Sequence, residues 1–300
     1  MSLARVVVTR PLPEPALEVL RSGGAEVVVG GDVAGADAVV TTLLDRVDEA
    51  FLDAAGDGLR VVANVAVGYD NVDVPGCAAR DVAVTNTPDV LTDATADLAL
   101  ALILAVTRRM GEGERRIRSG VPWAWAMDFM LGRGLQGRTL GVVGYGAIGR
   151  AVAGRARAFG MEVVYTRRSG DGVPLEELLA RAHVVSLHVP LSDATRHLID
   201  ADALAAMRPD AYLVNTARGP VVDEAALAVA LRDGVIAGAG LDVYEDEPAV
   251  HPELLELENV VLVPHLGSAT IETRTAMAEL AARNALAVLA GDPPLTPVAT

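Results

Sequence analysis

Three short segments concentrate the side chains able to move a proton or grip an anion. They are Asn215-Thr216-Ala217-Arg218-Gly219, Leu241-Asp242-Val243-Tyr244-Glu245-Asp246-Glu247-Pro248 and Pro264-His265-Leu266-Gly267-Ser268. An arginine, an acid and a histidine together suit the reduction of an anionic carbonyl compound. A carbonyl oxygen gathering negative charge needs an acid near neutral pH, which an imidazolium supplies. A guanidinium can hold a carboxylate or polarise the carbonyl through charged hydrogen bonds. Taken singly, a Glu-Pro pair reads as a turn and a histidine before Leu-Gly as a buried structural group; it is their conjunction that points to chemistry.

A fourth segment, Gly144-Tyr145-Gly146-Ala147-Ile148-Gly149, has the spacing of a dinucleotide turn. Glycine-rich spacings arise by chance in a chain with 29 glycines, so context decides. The apolar run Leu140 to Val143 leads in, and the alanine-rich stretch Arg150 to Phe159 continues as a helix. Gly144 suits a tight turn, Gly146 lets the backbone approach a pyrophosphate, and Gly149 brings helix against strand, with the helix N-terminus facing the phosphates. The next strand leads into Tyr165-Thr166-Arg167-Arg168-Ser169, where an NAD-preferring chain carries an acid for the ribose hydroxyls. Two guanidiniums and a hydroxyl, with no carboxylate among them, suit a 2′-phosphate, so NADPH is expected, with NADH as the alternative. The competing reading makes Arg167 and Arg168 a solvated loop pair.

These segments need strands and helices to hold them. Short apolar runs (Val6 to Thr9, Glu26 to Val29, Ala38 to Thr41, Arg60 to Val65, Val82 to Thr85) alternate with helix-like stretches such as Pro15 to Arg21. A second series follows at Thr139 to Val143, Glu162 to Thr166, His183 to His188, Ala211 to Asn215, Ile236 to Leu241 and Val260 to Pro264. That rhythm predicts an α/β chain of two doubly wound parallel-sheet domains, as the 300-residue length also suggests. Thr92 to Arg109 reads as a connecting helix, with Asp93 and Asp97 near its start and Arg108 and Arg109 in its last turn. Ala269 to Leu289 reads as a helix able to return to the first domain. The expected boundaries are 1–91 with 271–300, and 92–270.

Composition narrows the function. A net charge of −15 offers no basic face to nucleic acid and would repel a small anion unless positive groups are focused locally. One cysteine, Cys77, and five scattered histidines make disulfides and a metal site unexpected. Charges break every apolar run before the roughly 18 residues of a membrane span. Met1 to Arg10 runs directly into a strand pattern without a signal-peptide core, so a cytoplasmic location is expected.

In their order and spacing, the four motifs resemble those of the D-2-hydroxyacid dehydrogenases over essentially the whole length. The resemblance implies a Rossmann dinucleotide-binding domain inserted in a flavodoxin-like substrate domain. It implies that Arg218 grips substrate, Glu247 backs the histidine, and His265 exchanges the proton. A carboxylate there should favour the charged imidazole. The resemblance further puts Val189 and Pro190 near the cofactor, Asp242 beside its nicotinamide end, and Thr216, Ala217 and Gly267 in contact with it. Thr95, in Leu91-Thr92-Asp93-Ala94-Thr95-Ala96-Asp97, meets a cofactor phosphate or is an ordinary helix-interior threonine. In Ala66-Val67-Gly68-Tyr69-Asp70, the amides of Val67 and Gly68 bind the substrate carboxylate, the glycine permitting the conformation, or the segment is a plain turn. His183, His197 and His251 read as structural, and His188 as shaping the cofactor cleft without titrating in the reaction.

Within that family the likeness is nearest to glyoxylate/hydroxypyruvate reductases, through Asn86-Thr87-Pro88-Asp89-Val90-Leu91-Thr92-Asp93, Tyr165 to Ser169, and His265-Leu266-Gly267-Ser268-Ala269-Thr270. It implies reduction of glyoxylate or hydroxypyruvate to glycolate or D-glycerate, by a homodimer. Trp125 matches a tryptophan that borders the neighbouring subunit's pocket, or it serves subunit packing. Tyr145 and Ala147 depart from the leucine and arginine common in relatives, which leaves another 2-ketoacid open. A dinucleotide-sensing protein without turnover, and oxidation of an inorganic anion such as phosphite, are the alternatives from other classes.

Overall fold

Each of the eleven apolar runs becomes a parallel strand in the computed structural model, which describes residues 3–299. Within those residues the chain divides into two units, 3–91 with 268–299, and 92–267. The second boundary falls three residues earlier than expected. Gly267 is tied by its N–H to Asp242 of the second unit, whereas Thr270 accepts from Thr273 N–H and so caps the C-terminal helix (Ile271–Ala290) of the first.

In the first unit, β1 (Ala4–Val8), β2 (Ala25–Val29), β3 (Ala38–Thr41), β4 (Val61–Asn64) and β5 (Ala83–Thr85) form one sheet in the order β2-β1-β3-β4-β5. This is a flavodoxin-like order. Successive side chains of a strand point to opposite faces. Val6 and Val8 therefore enter the layer of Leu17 and Leu20, from α1 (Glu14–Ser22), and of Ala278, Ala281 and Ala285 from the C-terminal helix. Val7, Val39 and Val62 enter the opposite layer with Leu52 of α2 (Glu49–Ala55) and Cys77 of α3 (Val74–Ala78). Burial on both faces is why the inner strands β1, β3 and β4 read as continuous apolar runs.

The second unit opens with α4 (Thr92–Thr107) and α5 (Met110–Arg118). Arg108 and Arg109 were expected in the last turn of α4, but that helix ends at Thr107, whose hydroxyl donates back to Ile103 O at 2.7 Å. Arg109 then takes a positive φ of 54° and starts α5, an exposed helix that the periodicity did not suggest. Next come β6 (Thr139–Val143), α6 (Ala147–Ala158), β7 (Glu162–Thr166), α7 (Leu175–Arg181), β8 (Val184–Leu187) and α8 (Ala201–Ala206). They are followed by β9 (Tyr212–Asn215), α9 (Glu224–Arg232), β10 (Gly238–Leu241), α10 (Pro252–Glu256) and β11 (Val260–Leu262). The sheet order is β11-β10-β9-β8-β6-β7. From β6 the chain goes out to β7 and returns to β8 on the other side, so the order reverses between β6 and β8. In such sheets ligands bind beyond the carboxyl ends of the strands beside the reversal. The glycine turn and all three proton- and anion-handling segments leave strands at that edge. Among the described residues, no helix is long and apolar enough to cross a membrane.

Candidate active site

The glycine turn begins the moment β6 ends. Gly144 has φ of 94°, and a Cβ there would fall 2.5 Å from the His188 carbonyl oxygen, so only glycine fits. A Cβ on Gly149 would fall 2.2 Å from Gly144 O, which seats α6 tightly on the turn. Gly146 differs: no atom lies within 4 Å of its Cβ position, and as N-cap of α6 it offers no side-chain cap to the first helical N–H groups. Tyr145, Ala147 and Ile148 fill out the turn and helix start. An open backbone approach beside uncapped N–H groups at a helix N-terminus is the cradle a diphosphate requires, so these residues fit a dinucleotide.

Beyond β7, Tyr165 to Ser169 carries no carboxylate of its own, but one from just past the segment reaches back to it. Asp171 folds back between Gly170 and Gly172, both at positive φ, and accepts hydrogen bonds from Arg167 Nε and from Ser169 Oγ, the latter at 2.5 Å. The hydrogen bond from Arg167, then that from Ser169, holds the Asp171 carboxyl at a pKa of about 2. Arg168 is exposed. Tyr165 stacks on Tyr145 of the glycine turn with ring centroids 3.9 Å apart.

At the end of β8, His188 Nε2 lies 2.8 Å from Ser186 Oγ while Nδ1 has no partner among the described residues. Burial pushes its pKa down to about 4, so the ring is neutral near pH 7. Val189 and Pro190 follow it, partly buried and exposed respectively.

The three candidate catalytic segments are pinned to one another by backbone. Asn215 shapes the first: its Oδ1 accepts from Ala217 N–H at 3.0 Å and its Nδ2 donates to Arg218 O at 2.9 Å. Thr216 is buried, and its hydroxyl has no partner among the described residues. Asp242, 1% exposed, shapes the third: its carboxylate accepts from Leu266 N–H at 2.5 Å and Gly267 N–H at 2.8 Å, and its carbonyl accepts from His265 N–H at 2.8 Å. Its carboxyl is thereby committed to the loop. Burial raises that carboxyl's pKa in spite of those donors. Thr95 donates to Gly267 O at 3.2 Å, which fastens α4 to the same loop.

Glu247 joins two segments. Its Oε1 accepts from Tyr244 N–H at 3.1 Å, and its Oε2 lies 2.9 Å from His265 Nδ1. Burial pushes the Glu247 carboxyl up, but the hydrogen bond and charge of His265, the Tyr244 N–H and the charge of Arg218 together hold it below its ordinary value. Arg218, Glu247 and His265 thus occupy one electrostatic neighbourhood, the last at φ of 52°.

Sequence reasoning missed the support beneath them. Buried Glu224 accepts from Glu245 N–H at 2.6 Å and His251 N–H at 3.2 Å, while the Glu245 carboxylate accepts from Glu224 N–H and meets His197 Nε2 at 2.6 Å. His197, read as structural, braces the strand-end loop that carries Glu247. The available signal was Asp223-Glu224, an acidic pair opening a helix.

In the first unit, Asn86 Nδ2 donates to Val67 O at 2.8 Å and Asn64 Nδ2 donates to Gly68 O at 3.2 Å. Among the described residues, no acceptor meets the Val67 or Gly68 N–H. Gly68 does not take a positive φ, so the turn owes its form to the two asparagines rather than to glycine's conformational freedom, as the sequence had suggested. In the second unit, Trp125 is 76% exposed on a segment with Met127 and Leu131, beside the Trp123–Phe129 stack.

A doubly wound sheet with such a turn at its reversal is the architecture of nicotinamide-dependent oxidoreductases. Residues 100–267 match the D-isomer specific 2-hydroxyacid dehydrogenase NAD binding domain, and the chain belongs to that D-2-hydroxyacid dehydrogenase family. It is 46% identical to a glyoxylate reductase of Thermococcus onnurineus over 97% of this chain and 95% of that one. It is 49% identical to a glyoxylate reductase of Thermococcus litoralis over 86% and 82%. A solved protein of Thermus thermophilus superposes with a TM-score of 0.93 at 49% identity, over 98% of this chain and 100% of that one. An NADPH-dependent glyoxylate/hydroxypyruvate reductase of Sinorhizobium meliloti, solved with NADP and malonate, gives 0.89 at 37% identity, over 99% and 97%.

Proposed function

We propose that the chain reduces a small anionic 2-ketoacid, glyoxylate or hydroxypyruvate, to the D-2-hydroxyacid with NADPH as the preferred donor. The observation that carries this reading is the 2.9 Å contact between His265 Nδ1 and Glu247 Oε2. With Nδ1 committed to a carboxylate, Nε2 is the nitrogen that exchanges a proton, and Glu247 balances the charge of the imidazolium before transfer. The nicotinamide, when bound, supplies the hydride to the carbonyl carbon. His265 delivers the proton to the carbonyl oxygen, and Arg218 holds the substrate by charged hydrogen bonds and offsets negative charge on that oxygen. The amides of Val67 and Gly68 receive the substrate carboxylate.

In the same reading, Gly144 to Gly149 hold the pyrophosphate, and Arg167, Arg168 and Ser169 take the 2′-phosphate. Val189, Pro190, Thr216, Ala217 and Gly267 line the cofactor. Asp242 and Thr95 act by holding the His265 loop in place. Relatives named glyoxylate reductases, and the NADP complex of the S. meliloti enzyme, support this assignment of substrate and donor. The protein works in the cytoplasm as a homodimer. Trp125 and its apolar neighbours form a face that a second copy covers, and α5 brings Arg115, Arg116 and Arg118 to an otherwise strongly acidic chain.

A panel of glyoxylate, hydroxypyruvate, pyruvate and phenylpyruvate with NADPH and NADH tests the reading. The highest kcat/KM is expected for glyoxylate or hydroxypyruvate with NADPH. Equal or better kcat/KM with NADH overturns the donor preference, and tight NADPH binding without turnover on any ketoacid overturns the enzyme.

A further inference from the structure

We infer that Asp171 is a built-in competitor for the cofactor's 2′-phosphate, and that this one carboxylate sets how strongly the protein prefers NADPH to NADH. The inference rests on the placement of the 2′-phosphate at Arg167, Arg168 and Ser169.

Two of the donors that suit a phosphate are already in use. Asp171 Oδ1 takes both Arg167 Nε and Ser169 Oγ, and Oδ2 lies 3.5 Å from the Tyr165 hydroxyl. The two flanking glycines make the return possible: Gly170 has φ of 83° and Gly172 of 103°, and a Cβ on Gly172 would fall 2.3 Å from Tyr165 O. The turn is thus built so that one carboxylate faces the donor set. With its pKa held at about 2, Asp171 stays ionised across the working range of pH.

A 2′-phosphate that takes Arg167 Nε and Ser169 Oγ must displace Asp171 from those two donors, and the like charge of the carboxylate opposes its approach. The exchange is cheap. The pair is about half exposed, with side-chain accessibilities of 40% and 48%, and an exposed pair shifts an equilibrium by about fivefold at most. A phosphate carries more charge and more acceptor oxygens than a carboxylate, so it wins, but by a reduced margin. When the cofactor lacks the phosphate, Asp171 remains in place as an acceptor for the ribose hydroxyls, the part an acid plays in NAD-binding sheets. The same side chain therefore weakens NADPH binding and supports NADH binding.

Isothermal titration with 2′,5′-ADP and with 5′-ADP separates this inference from the reading beneath it. Wild-type protein is compared with Asp171→Asn, Asp171→Ser and Arg167→Gln. Asp171→Asn keeps the size of the side chain, and Asp171→Ser guards against a residual hold by the amide. Both Asp171 variants are expected to bind 2′,5′-ADP about fivefold more tightly and 5′-ADP no more tightly, and kcat/KM should shift in the same sense toward NADPH. Arg167→Gln should weaken 2′,5′-ADP. If Arg167→Gln weakens 2′,5′-ADP while both Asp171 variants leave it unchanged, Asp171 does not compete and the inference falls alone. If the wild-type protein binds the two nucleotides equally and Arg167→Gln changes neither, the 2′-phosphate site is elsewhere and both fall.

Discussion

Gly219 and Tyr244 touch backbone to backbone: a Cβ on Gly219 would fall 1.8 Å from both the carbonyl carbon and the carbonyl oxygen of Tyr244. Arg218 precedes the first of these residues, and Tyr244 donates its N–H to Glu247. The contact therefore sets the spacing between the guanidinium and the carboxylate that backs His265. Neither backbone can yield to a methyl group without moving one of the two loops. Gly219→Ala is expected to lower kcat by about 10², the scale of a positioning loss of this kind. It should also cost about 1–3 kcal/mol of stability as an overpacking change. Near wild-type kcat in a folded Gly219→Ala protein would show that the two loops are not coupled.

The Glu247–His265 pair makes a graded prediction. His265→Ala removes the proposed proton donor and should lower kcat by about 10² or more, the range of a general acid. Glu247→Gln keeps the shape and leaves the donor in place, so the loss should be smaller, about tenfold. KM for the ketoacid should change little in either, since neither group is asked to hold its carboxylate. Stopped-flow measurement of NADPH oxidation separates the chemical step from product release. A loss under tenfold in His265→Ala means that another group supplies the proton.

What the sequence discloses here follows the reach of each interaction. Strands with both faces buried announce themselves as apolar runs, and the less buried edge strands β2 and β7 keep paired valines, so all eleven were legible. The glycine turn was legible because its strand, turn and helix are contiguous. Arg218, Glu247 and His265 were legible from motifs at strand ends, although the histidine and the acid meet across 18 residues of chain. The supports were not. Nothing local marks Asn86 as the partner of Val67 or Glu224 as the partner of Glu245, since each bond joins segments about 20 residues apart. Asp171 escaped for the opposite reason: it lies just past the arginines, where two glycines let the chain double back.

Asn86 supplies the test of the first unit's turn. By fastening the Val67 carbonyl at 2.8 Å, it keeps the turn's carbonyl from facing an anion and leaves the N–H groups to do so. Asn86→Ala should raise KM for glyoxylate about tenfold while kcat at saturation changes by less than threefold. This is the reverse of the pattern expected for His265→Ala. Asn86→Asp, which retains the size but loses the donor, should behave like the alanine variant. Equal losses in kcat with an unchanged KM would mean that the turn does not hold substrate.

His188 makes a prediction in pH. Its ordinary pKa is about 6.5, the value expected in the unfolded chain, and burial lowers it to about 4 in the folded protein. Between those values the unfolded chain binds the proton and the folded protein does not, so stability falls as pH falls. The contribution of this ring is fully present above about pH 6.5 and is lost progressively down to about pH 4. Over that whole window the loss is on the order of 3 kcal/mol. His188→Gln places an amide near Ser186 Oγ but cannot titrate. Urea unfolding from pH 7.5 to pH 4.5 should show the wild-type protein losing stability more steeply than the variant, with the two curves diverging below about pH 6.5. Parallel curves would mean that His188 takes up a proton as readily folded as unfolded, and that burial does not hold the ring neutral.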